Sequence, residues 1–117
     1  MSDFIPLLIK TLRLLTRSAD EQVCYLVNLG IKGNVDELAL EYDDVMRLAQ
    51  DQLDLGQITR FQYDSMQRLD QQLDEMSSSD KAYLWTEKAL YDAREWSEVR
   101  KMAIERLSLF DADRGVT

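Results

Sequence analysis

Histidine is absent from all 117 residues. That removes Ser/His/Asp and Cys/His nucleophilic arrangements, imidazole acid–base chemistry and most zinc sites. Cysteine occurs once, at Cys24, so no intrachain disulfide can form. A lone thiol suits a reducing cytoplasm and argues against secretion. Its neighbours Val23, Tyr25 and Leu26 make a small buried residue the expectation for Cys24, not a reactive thiol. The four glycines, Gly30, Gly33, Gly56 and Gly115, form no GxGxxG or phosphate-loop pattern. No apolar run approaches the roughly 18 residues of a membrane span. The opening MSDFIPLLIKTLRLLTR is interrupted by Asp3, Lys10 and Arg13, and it has no basic leader or small-residue cleavage site. A cytoplasmic protein with no signal peptide and no membrane association is the expectation.

What remains is rich in helix formers. Apolar residues are 45% and charged residues 31% of the chain, with a single proline, Pro6. This is a globular composition favouring helix over sheet. The length suits one domain over residues 1–117, with a core that closes without staples. The net charge is −8, and it is unevenly spread. Residues 1–33 carry +1, residues 34–80 carry −9 and residues 81–117 are neutral. The middle of the chain therefore repels nucleic acid and attracts basic partners over a Debye length, about 8 Å at physiological salt.

Apolar spacing predicts an all-α, single-domain bundle of five to six helices with an antiparallel central hairpin. The first helix covers Phe4 to Thr16, with Asp3 as cap and Leu8, Leu12 and Leu15 on one face. Ser18 and Glu21 make a reciprocal capping box for a second helix ending near Leu29, with Gly30 as left-handed terminator. Ile31-Lys32-Gly33 is a short turn. Asn34 then caps a third helix to Asp54, whose inward stripe is Leu38, Tyr42, Val45, Ala49 and Leu53. Gly56 turns the chain, and Thr59 and Gln62 box the fourth helix. Its expected inward set is Phe61, Met66, Leu69, Leu73 and Met76, with Asp64, Asp70, Asp74 and Glu75 outside. A serine loop at Ser77–Ser79 leads to Tyr83 and Trp85, which are candidate interface anchors if exposed. Thr86 caps a short helix. Asp92 caps the last, with Trp96, Val99, Ala103, Leu107 and Phe110 inward. Arg100, Lys101 and Arg106 share its surface with Glu95, Glu98 and Glu105. Residues 111–117 read as a frayed tail.

Carboxylates are the only catalytic candidates left. Helical carboxylate pairs hold Mg²⁺ or Mn²⁺ in all-helical nucleotide hydrolases. Glu37/Glu41/Asp44, Asp51/Asp54 and Glu95/Glu98 have suitable spacings, but the pattern needs two pairs on successive helices. Glu95 and Glu98 have no following partner pair. The expectation is a non-enzyme with no cofactor and no metal. The third helix has Arg47 as its only basic residue, unlike the interleaved last helix. Like charges at four-residue spacing cost a few tenths of a kcal/mol per pair. That favours a docking surface for a basic protein over a merely solvated face. Its partner-binding candidates are Glu37, Glu41, Asp43, Asp44, Asp51 and Asp54.

The runs Asp36-Glu37-Leu38-Ala39-Leu40-Glu41-Tyr42-Asp43-Asp44, Gly56-Gln57-Ile58-Thr59, Leu84-Trp85-Thr86 and Trp96-Ser97-Glu98-Val99-Arg100 resemble a group of small bacterial helical proteins. In size and acidity the chain is similar to immunity proteins of contact-dependent growth inhibition and related polymorphic toxin systems. The resemblance implies a cytoplasmic antidote that binds one cognate basic toxin domain, often a nuclease, and blocks its active site. It carries over no individual functional residue. The competing expectation is an acidic helical adaptor or regulatory module without catalytic activity.

Overall fold

A computed structural model of the chain describes residues 4–30 and 34–115. Those residues form six α-helices and one 3-10 turn: α1 Phe4–Thr16, α2 Ala19–Asn28, α3 Asp36–Asp54, α4 Arg60–Glu75, the turn Ser79–Leu84, α5 Glu87–Asp92 and α6 Arg94–Gly115. The bundle is all-α, and no described helix is long and apolar enough to cross a membrane.

Four helices enclose the core. α1 packs on α6 and α3, α3 on α4, and α4 on α6, closing a ring; α2 and α5 pack together beside it. Leu8, Leu12 and Leu15 of α1 meet Leu38, Tyr42 and Val45 of α3, Met66 and Leu69 of α4, and Trp96, Val99 and Ala103 of α6 in one buried cluster. Buried polar groups are satisfied where the helices cross. The Tyr42 hydroxyl donates to the Met66 carbonyl at 2.7 Å, joining α3 to α4. The Trp96 indole donates to the Leu84 carbonyl at 2.6 Å, and Trp85 donates to Met76 O at 2.8 Å. The two indoles meet edge to face, 5.2 Å apart. Trp85 is therefore a half-buried structural residue, while Tyr83 stays exposed.

Local signals set most helix ends. Both halves of the Ser18–Glu21 and Thr59–Gln62 capping boxes are formed, and the Thr86 hydroxyl accepts from the Ala89 amide. Two expected caps do not form. At α3 the cap position is Val35, already in helical backbone conformation and making no side-chain cap bond. The Asn34 carbonyl, rather than its side chain, accepts from Glu37 N. Val35 is buried, so packing, not capping, starts this helix. At α6 the chain straightens at Ala93, and Asp92 instead ends α5, accepting from Lys88 at 2.6 Å.

Five inward or outward assignments also change. Phe61 is 66% exposed, and Tyr63 takes its place in the core. Five residues separate Phe61 from Met66, a rotation of about 140° away from the stripe. Leu107 is only partly buried, whereas Arg106 is buried and donates to Ser65 O at 2.8 Å and Met102 O at 3.1 Å. Arg100 is not a surface charge: it reaches Arg17 O, Gln22 Oε1 and Leu90 O, tying α6 to the α1–α2 corner and to α5. Cys24 is exposed rather than buried. Helix α6 continues to Gly115, past Asp111. Asp3 and the turn at residues 31–33 lie outside the described residues, as do residues 116 and 117.

Candidate functional site: the solvent face of the α3–α4 hairpin

Helix α3 has a second pattern besides its buried stripe. Leu40, Asp44, Leu48, Asp51 and Leu55 follow one another by steps of four, four, three and four residues. Such steps stack side chains on one helix face. All five are exposed; the leucines at 50%, 45% and 70%. Single exposed leucines are ordinary, but three in a row between aspartates make a mixed apolar and anionic strip. Phe61, across the turn from Leu55, adds an exposed aromatic near the hairpin tip. Gly56 forms that turn with φ +75, and nothing lies near its missing Cβ. It is a glycine because of its backbone conformation, not for want of space.

The sequence-derived acids divide around this strip. Asp44, Asp51 and Asp54 are exposed, and Asp54 accepts from Gln50 at 3.1 Å. Asp43 is half-buried on the α4 side. Arg47 binds Asp43 at 2.8 Å and reaches Asp44 at 3.9 Å, in exposed one-turn pairs that screening leaves weak. Glu41 lies on the opposite side of α3. It accepts from the Tyr25 hydroxyl of α2 at 2.5 Å, and Glu37 stands close enough to act on the same tyrosine. The bond to Glu41, then burial and the charges of Glu41 and Glu37, push the Tyr25 pKa up to about 12. Thus Asp44 and Asp51 lie in the strip and Asp43 and Asp54 border it, while Glu41 and Glu37 belong to the α2–α3 seam.

Two acids on α4 complete the hairpin surface. Asp43, Asp70 and Asp74 converge on a small hollow of about 140 Å³ with Leu40, Leu73 and Ser77 in its walls. Asp70 is half-buried there, not outward, and its pKa is raised by burial and then by Asp43 and Asp74. Burial and the neighbouring carboxylates both disfavour its charged form. The juxtaposition is legible in principle. Reflecting Asp43 about the Gly56–Gln57 turn lands on Asp70, once the hairpin is accepted as antiparallel. The leucine strip was also visible as spacing, but a second apolar stripe on one helix is ordinarily assigned to the core.

Among the described residues no group of three or more Asp, Glu or Cys side chains is arranged to hold a metal ion. Glu37, Glu41 and Asp44 do not converge, because Tyr25 holds Glu41 toward α2 while Asp44 faces solvent with Arg47. The fold and this surface together define a class: an all-α bundle with an acidic, leucine-studded hairpin. Comparison with protein-family models, curated proteins and solved structures finds no match.

Proposed function

We propose that the protein is a non-catalytic binder, an immunity protein that neutralises a cognate basic toxin domain in the bacterial cytoplasm by laying its α3–α4 hairpin over the toxin's active site. The observation that carries this reading is the exposed strip Leu40–Asp44–Leu48–Asp51–Leu55, flanked by Asp43, Asp54, Asp70 and Asp74. Leucines give a partner apolar area to bury, and the aspartates steer it in and reject acidic competitors. A nuclease is the fitting target, because its phosphate site is basic and an array of carboxylates can occupy it.

The test is co-expression with the toxin domain encoded beside the gene, scored by cell survival and by association kinetics of the purified pair. Asp44→Lys with Asp51→Lys slows association at least tenfold, and Leu48→Asp speeds dissociation, both with unchanged circular dichroism. Glu41 is a poor position for this test, since its loss also removes the Tyr25 bond. Full protection and wild-type kinetics in both variants would overturn the hairpin as the binding surface. Capture of a housekeeping protein in place of a toxin favours the adaptor alternative.

A further inference from the structure

The acidic hairpin is not the only charged surface. On the other side of α3, a groove of about 670 Å³ runs between α1, α2 and α3, lined by Pro6, Ile9, Leu14, the cations Lys10, Arg13 and Arg17, and the Tyr25–Glu41 pair. Its volume lies in the range of ligand sites. Lys10, Arg13 and Arg17 are spaced by three and four residues, so they share one face of α1. Their backbone positions extend about 10 Å along the helix axis. Three cations on one face are unexpected in a chain of net charge −8.

We propose that this groove binds an extended acidic peptide segment of a partner protein, independently of what the hairpin binds. One feature selects a peptide over a compact anion such as phosphate. The cations are strung out, and about four residues of extended chain cover the same 10 Å. Alternate side chains of an extended segment lie on one side, so its carboxylates face Lys10 and Arg17 while the intervening side chains point away from α1. Glu41 brings a negative charge and accepting oxygens into the groove, and the Tyr25 hydroxyl already spends its proton on it. Backbone N–H groups of a bound peptide are donors for its remaining lone pairs. The Arg17–Glu21 pair is exposed at 3.4 Å, so an incoming carboxylate displaces Glu21 at little cost.

The experiment uses the full-length protein and a fluorescein-labelled peptide, Glu-Ala-Glu-Val-Glu, followed by fluorescence anisotropy at low salt. The expected result is saturable binding that weakens about five- to tenfold in the Lys10→Ala/Arg17→Ala double variant. The glutamine counterpart of the peptide binds at least tenfold more weakly. Amide shifts on titration fall on residues 10–17 and Tyr25. Lys10→Glu, an exposed change, provides a second variant with the same direction. The proposal is overturned by equal binding of the glutamine peptide, by wild-type affinity in both variants, or by shifts located on the outer face of α3. Displacement of the peptide by inorganic phosphate at lower concentration than by unlabelled peptide also overturns it, in favour of a phosphate site.

Discussion

At the scale of single residues, the polar groups inside the bundle do more than the outer ion pairs. Gln22 is fully buried, and its amide donates to Leu14 O and Leu15 O, two carbonyls in the last turn of α1. Its own oxygen is taken by Arg100 at 2.9 Å, which also reaches Leu90 O at 2.6 Å. Burial lowers the Arg100 pKa without threatening its charge. Arg100→Met keeps most of the volume and strands these acceptors. A loss of about 1–3 kcal/mol in urea unfolding is expected, against near zero for the exposed Lys101→Met. Asp70 gives the opposite sign. Its folded pKa is raised above 3.8, so ionised Asp70 opposes folding at neutral pH. The penalty lifts as pH falls through the folded pKa, and below 3.8 both states are protonated. Asp70→Asn therefore raises the melting temperature at pH 7, by roughly 1–2 °C for a few tenths of a kcal/mol. The gain shrinks through the window above pH 3.8 and is absent below it. A scanning calorimetry series across that window checks the sign.

At the scale of elements, helix starts with a hydroxyl cap were readable and those without one were not. Ser18, Thr59 and Thr86 each hold an amide of their own first turn. Asn34 and Asp92 have the right chemistry at the wrong backbone positions. The first lies before a buried Val35 already in helical conformation, and the second before Ala93, where the chain is extended. Phe61 shows the matching failure for burial, since hydrophobicity placed inward a ring that the helical period places outward. The α3–α4 hairpin depends on Gly56 at φ +75. Gly56→Ala meets no neighbour, so its whole cost is the left-handed backbone, about 1 kcal/mol. Chemical denaturation should show that loss with an unchanged m-value, because the surface buried on folding does not change.

At the scale of the molecule, charge is arranged as two poles. The hairpin holds 11 of the 22 acidic residues against three basic ones, and the groove beside α1 gathers three cations on the other flank of α3. For the basic partner proposed for the hairpin, this field accelerates docking and salt screens the acceleration. Raising salt from 50 to 500 mM should cut its association rate constant at least tenfold while dissociation changes little, measured by stopped flow or surface plasmon resonance. A rate constant indifferent to salt would mean that the leucine strip acts without the aspartates.

Composition and period determined the class of this protein by themselves. Helix formers, apolar residues at three- and four-residue steps and two capping boxes leave an all-α bundle as the one architecture that buries Leu8, Leu12, Leu38, Tyr42, Leu69 and Trp96 together. They also located the acid in the hairpin, because charge is additive along the chain. Only the tertiary structure decided what each acid faces. Glu41 and Asp43 are two residues apart in sequence, yet helical rotation sends one to Tyr25 of α2 and the other toward Asp70 of α4. The same packing left Leu40, Leu48 and Leu55 exposed, since among the described helices α3 packs chiefly on α1 and α4. A row of carboxylates in the sequence thus became two different surfaces, one acidic and leucine-bearing, the other a basic groove with Glu41 in its wall.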